Sequence, residues 1–396
     1  MSDTALDATH SSRSLATAAR SETKAVDKEH VVDAMRGVAA LLVAYFHCRQ
    51  VEWVGMQSFH HLTSRPLDLN TVVAYLTLPI AWGSAGVPIF FVISGYCIHR
   101  GAAQRLANNP AYRLDAANFW ARRFARIYPV LFAALLLTLA LDWTSLHFPP
   151  VNHKILDIGP TAFLVNLFSL QGVAGKTYGS NGALWTLSLE VQFYAVYPLL
   201  FALRRRLGMQ PALVVVALVN VVSAFVFERN DLQFFTSFWF SWTLGAWIAE
   251  LQVKRDASRK RMPWRMYGAA LMFTALGCAA FHFGQYFAFQ LWALGFACYL
   301  AEALKSHRQN RGEKDAPVIR LLSRFGDFSF SLYSIHLPIF VLLSSLLYRS
   351  TLQTSIFPTF GFMLVAIAAA WVFYRCVELP AMKWSANLRP AAARAR

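Results

Sequence analysis

An arginine and a histidine, Arg36 and His47, sit eleven positions apart in VVDAMRGVAALLVAYFHC, with mostly apolar residues between them. On a helix rising ~1.5 Å per residue the two are separated by roughly 16 Å along the axis. An ionisable side chain inside an apolar helix is costly, and in a membrane it marks a functional site by default. Two further ionisable residues lie in comparable surroundings. His336 falls in FSFSLYSIHLPIF, eleven residues past Phe325, and Glu190 in LWTLSLEVQFYAVYP. The plain alternative for each is a polar group hydrogen-bonded between helices. Three such residues on separate helices point instead to one shared polar cavity at related depth.

The chemistry available to this set is acid–base. A neutral imidazole takes a proton from a hydroxyl or accepts an acyl group, and a carboxylate orients it. Two histidines and a glutamate also resemble a metal set, but no tight ligand spacing such as HExxH is present, and no metal is expected. A proton relay in a transporter uses the same residue types.

A second constellation is cationic. FWARRFARIYP carries Arg122, Arg123 and Arg126, with 122/126 and 123/126 sharing a helix face. The ordinary reading is topological charge at a membrane edge. The sharper one is a phosphate clamp, because paired guanidiniums bind phosphate oxygens bidentately. In GSAGVPIFFVISGYCIHR, Gly83, Gly86 and Gly95 read as close helix packing, and His99 as an interfacial residue. Arg375 and Glu378, in YRCVELP, read as an ion pair at a helix end.

The elements that must position these residues are membrane helices. Of 396 residues, 56% are apolar and only 15% charged, and the mean hydropathy is +0.39. Charge-free runs near the ~20 residues that cross a bilayer recur along the chain. The pattern predicts an all-α integral membrane protein of about ten transmembrane helices, at 31–51, 84–99, 128–147, 183–203, 212–228, 233–251, 265–283, 286–304, 325–348 and 355–377. With both termini cytoplasmic, the arginine and lysine clusters fall on the inner loops, as the positive-inside rule requires. These include 100–126, Arg204 to Arg206, 254–261, 305–324 and the C-terminal tail.

Counting DIGPTAFLVNLFSLQ (157–171) as a span would reverse that order, so it is expected as a short re-entrant or interfacial helix on the outer side. Residues 1–30 lack an apolar signal region and read as a disordered cytoplasmic tail, and 381–396 as a basic one. The net charge of +16 calls for no nucleic acid; topology and anionic lipid account for it. The five cysteines lack metal or disulfide spacing and read as membrane packing.

Six segments in order, DAMRG…H, GVPIFFVISGY, RRFARIYP, LWTLSLEVQFYAVYPL, SFSLYSIHLP and VELP, resemble the acyltransferase family 3 membrane proteins, O-acyltransferases of cell-surface polysaccharides and other hydroxyl compounds. The resemblance covers about 31–380, in the stand-alone form without a C-terminal hydrolase-like domain. It implies that Arg36 and His47 are the family's essential pair on the first helix. Arg123 and Arg126 match its Arg-x-x-Arg element for the acyl donor, with Arg122 beside them. Glu190 and His336 match the acidic and histidine positions of the later segments. Phe330 stands where many members carry a tyrosine.

The resulting expectation is a bacterial inner-membrane enzyme with no permanently bound cofactor and acyl-CoA, most simply acetyl-CoA, as co-substrate. The donor phosphates would meet Arg36, Arg122, Arg123 and Arg126. His47 would be general base or transient acyl carrier, with Glu190 and His336 assisting. The acceptor would be a hydroxyl of a glycan, a lipo-oligosaccharide or a small molecule. The alternative is a proton-coupled carrier of a glycolipid or acyl group that does no covalent chemistry.

Overall fold

The computed structural model describes residues 29–62, 68–227, 230, 232–253, 263–285, 287–309 and 316–388. Residues 1–28 and 389–396 of the two expected tails, and the basic stretches 254–262 and 310–315, lie outside the described residues, while the start of the expected C-terminal tail is helical. The described chain is helical, and among the described residues no strand forms beyond two isolated bridges. The principal helices are α1 (His30–Glu52), α2 (Gly86–Asn108), α3 (Ala116–Ser145), α4 (Trp185–Leu207), α5 (Met209–Val226) and α6 (Trp239–Val253). They continue with α7 (Pro263–His282), α8 (Ala288–Gln309), α9 (Pro317–Asp327), α10 (Ser329–Tyr348), α11 (Phe357–Phe373) and α12 (Leu379–Asn387). A π-helical segment, Tyr374–Glu378, joins the last two.

Seven helical stretches among the described residues are long and apolar enough to cross a bilayer, against the ten expected. The remaining predicted spans are nonetheless helices. The described part of α6 is 15 residues long, and α8 carries Gln290, Glu302 and Lys305. The stretch near 157–171 contains one eight-residue helix, Pro160–Leu167, too short to cross.

Two boundaries differ from expectation and matter for the site. FWARRFARIYP is part of α3 rather than a loop before a span; Asp115 caps that helix by accepting from Asn118 N at 3.0 Å. The ninth expected span breaks at Phe328, where α9 gives way to α10.

Helix packing follows the small residues. Gly83 and Gly86 face α1, and Gly95 faces α6, whose Gly245 faces back; a Cβ at either Gly95 or Gly245 would fall on the other helix's backbone. Gly37 and Gly326 bring α1 and α9 together in the same way.

Prolines do a second job. A helical proline leaves the carbonyl four residues earlier without its donor. Pro198 frees Tyr194 O, which accepts from Trp120 Nε1 of α3 at 3.0 Å. Pro338 frees Ser334 O, which accepts from Asn181 Nδ2 at 2.9 Å. The first contact docks the arginine helix on the Glu190 helix. The second fastens the segment before α4 beside His336.

Candidate active site

His47 and His336 meet. His47 Nδ1 lies 2.8 Å from His336 Nε2, and the rings stack at 5.1 Å and 10°. His336 is fully buried, and its Nδ1 lies 2.9 Å from Leu332 O, one turn earlier on α10. Both of its nitrogens therefore have partners. His47 is half-buried, and its Nδ1 alone is engaged in the pair.

The arginines gather elsewhere, around a cavity of ≈ 120 Å³ whose lining includes Arg36, Arg123, Arg126, Glu190 and Tyr194 together with Phe90, Phe330 and Tyr333. Arg36 is held by Asp33 one turn earlier at 3.0 Å and donates to Cys97 Sγ at 3.4 Å. The Arg123 guanidinium lies over the rings of Phe119 and Tyr194 at 5.6 and 5.9 Å. Its Nε is buried with no hydrogen-bond partner among the described residues. Three guanidiniums against one lining carboxylate, Glu190, leave the cavity with an excess of positive charge.

Glu190 belongs to that cavity and not to the histidines, contrary to the expectation of one shared depth. Its carboxylate accepts from Ser94 Oγ at 2.9 Å and from the Tyr194 hydroxyl, while Ser94 Oγ accepts from Trp242 Nε1 at 3.2 Å. Ser94 lies two turns from Gly86, the residue that packs on Ala39 and Val43 of α1. Glu190 is thereby nearer the depth of Arg36 than that of His47. The count from Trp185 along α4 does not reveal this, because Ser94, which fixes the Glu190 carboxylate with Tyr194, comes from another helix.

Four other expectations are revised. Arg122 does not line the cavity; its carbonyl accepts from Ser385 Oγ of α12 at 2.6 Å. His99 is fully buried rather than interfacial, bonded to Tyr197 OH at 3.1 Å and Glu250 Oε1 at 3.0 Å, and Glu250 takes Arg204 bidentately at 2.6 and 2.7 Å. Glu378 accepts from Ser331 N and Oγ at 3.1 and 2.6 Å and so fixes the start of α10, while Arg375 lies over Trp371 at 5.8 Å. Cys97 is a cavity residue as well as a packing one. No group of three or more His, Cys, Asp or Glu side chains able to hold a metal ion occurs among the described residues.

A family model described as an acyltransferase domain matches residues 29–375, which takes in both histidines and every cavity arginine. The chain belongs to the acyltransferase 3 family.

Curated relatives agree. The Staphylococcus aureus protein named O-acetyltransferase OatA is 26% identical over 334 residues, covering 77% of this chain and 53% of its own length. Nodulation protein 10 of Rhizobium leguminosarum bv. viciae is 30% identical over 38% of this chain and 43% of its own. The Listeria monocytogenes peptidoglycan O-acetyltransferase OatA is 31% identical over 34% and 22%. The chain thus spans about half or less of the length of these relatives. No solved structure matches it. Membership of the acyltransferase 3 family agrees with the seven described helical stretches long and apolar enough to cross a membrane.

In this acyltransferase 3 member, sequence reasoning singled out the charged residues and missed their uncharged neighbours. Tyr194 is four residues from Glu190 and Tyr333 three before His336, so each shares a helix face with a residue already chosen. That spacing was a usable signal. Ser94 and Thr186 gave none, because their roles arise only when α4 meets α2 and α10.

Proposed function

We propose that this acyltransferase moves an acyl group, acetyl first, from acyl-CoA entering on the cytoplasmic side to a hydroxyl of a cell-surface or exported glycan or glycolipid. The observation that carries the reading is a shared wall: Arg36, Arg123 and Arg126 line one cavity with Tyr333, and the Tyr333 ring lies edge-on to His336 of the His47–His336 pair. Phosphates of the donor would be held by Arg36, Arg123 and Arg126, with Glu190 and Tyr194 completing that wall. The flexible thiol arm would carry the thioester toward His47, about 16 Å further along α1.

His47 acts as general base. It takes the proton of the acceptor hydroxyl as that oxygen attacks the thioester carbonyl; the C–S bond breaks, and the thiolate receives the proton from His47. The names of the relatives support acetyl as the group moved. The test is mass spectrometry of surface and exported glycans in a deletion strain. O-acetyl esters vanish on deletion and return with the wild-type chain but not with His47→Ala. Unchanged acetylation in the deletion strain would refute the assignment.

A further inference from the structure

The histidine pair contains more information than its distance. A carbonyl oxygen only accepts hydrogen bonds, so the ring nitrogen of His336 that bonds Leu332 O at 2.9 Å, Nδ1, carries a hydrogen. In neutral His336 the other nitrogen, Nε2, is then a bare acceptor. Nε2 lies 2.8 Å from His47 Nδ1, so Nδ1 of His47 is the donor and carries the proton of that ring. The lone pair of neutral His47 is left on Nε2.

We infer that His336 is a positioning residue, which fixes His47 in the Nδ1–H tautomer and leaves Nε2 as its single basic nitrogen. The inference rests on the reading of His47 as general base and gives it an atom. Complete burial of His336 and the occupation of both its nitrogens keep it from touching either substrate. The chain His47 → His336 → Leu332 O stands where many hydrolytic sites use a carboxylate. When His47 Nε2 takes the acceptor proton, the imidazolium still donates from Nδ1, now as a charge-assisted bond. The aligned His336 and carbonyl dipoles stabilise the charge without placing a second ion in the membrane. When Nε2 returns the proton to the thiolate, the pair is restored with no net change.

The neighbouring residues support a rigid relay. The His336 ring is packed edge-on by Tyr333 and Phe340, each at 5.8 Å, and Asn181 bonds the carbonyl of Ser334 one half-turn earlier. His336 cannot rotate to exchange its nitrogens without breaking the bond to Leu332 O.

The test is 15N NMR of the full chain in nanodiscs, labelled at histidine, with the His47 resonances assigned by their loss in His47→Ala. A protonated Nδ1 and an unprotonated Nε2 are expected in the wild type. His336→Gln, which keeps an acceptor for the Nδ1 proton, preserves that pattern; His336→Leu, which removes it, gives a mixture of tautomers. In cells, ester-bound acetyl is expected to fall about a hundredfold or more in His336→Leu and tenfold or less in His336→Gln. Binding of labelled acetyl-CoA stays the same in all three.

A wild-type spectrum with the proton on Nε2 overturns the inference, whether or not the variants fold. So does a His336→Leu variant that keeps the single tautomer. If the tautomer is as expected and acetyl-CoA does not bind the wild type, the positioning role stands and the donor reading fails.

Discussion

The ring of Tyr333 stands edge-on to His336 at 5.8 Å, and the same ring lines the arginine cavity. One side chain therefore touches both the arginine cavity and the histidine pair. Phe90 packs edge-on to it at 5.4 Å, and the hydroxyls of Tyr333 and Thr186 are bonded at 2.7 Å. On the proposed route, an acyl group advancing from the arginines passes this ring on its way to His47.

Acyl-chain selection is the first consequence. Tyr333→Ala removes this ring, so hexanoyl-CoA gains on acetyl-CoA by about tenfold or more, since a single methylene against a tight apolar wall already discriminates about tenfold. Competition binding of acyl-CoAs of increasing length to the purified protein measures it. Tyr333→Phe, which keeps the ring, leaves the ranking as in the wild type.

Asn181 fastens the segment before α4 to α10. Its amide donates to Ser334 O at 2.9 Å and to Thr138 Oγ1 at 3.0 Å. Asn181→Leu leaves the carbonyl freed by Pro338 unsatisfied, at a cost of about 1–3 kcal/mol. A lowered melting temperature in detergent is expected, together with a loss of transfer larger than any loss of donor binding, because the contact lies beside the histidines.

The buried His99–Glu250–Arg204 group predicts a purely structural defect. Glu250→Ala leaves Arg204 and His99 without their carboxylate, and breaking such a pair from one side costs about 3–5 kcal/mol. Thermal unfolding should show it. Glu250→Gln, which retains hydrogen bonding, falls between this variant and the wild type.

Much of this architecture was legible in the sequence, and what was not has physical causes. The helix carrying Arg36 and His47, the rough position of the spans and the short helix at Pro160–Leu167 follow from hydropathy and charge placement, which are local quantities. The pairing of His47 with His336 was foreshadowed by matching depth. Glu190 lies with the arginines rather than the histidines because its partner Ser94 is brought to it by α2, a packing that α4's own sequence does not encode. His99 looked interfacial because Glu250 and Arg204 arrive from α6 and α4, more than a hundred residues away. Arg122 looked equivalent to Arg123, but it sits where α3 meets α12, whose Ser385 bonds its carbonyl, and it does not line the cavity.

In the proposed reaction, donor binding belongs to the arginine cavity and acyl transfer to the histidine pair. Binding and transfer of labelled acetyl-CoA, measured side by side on purified Arg123→Ala and His47→Ala proteins reconstituted with native membrane extract, test it most directly. Arg123→Ala is expected to weaken donor binding by about tenfold to a hundredfold, the worth of one charge-assisted contact. His47→Ala is expected to bind donor as the wild type does and to transfer none of it. Full transfer by His47→Ala, or undiminished donor binding by Arg123→Ala, would contradict the account.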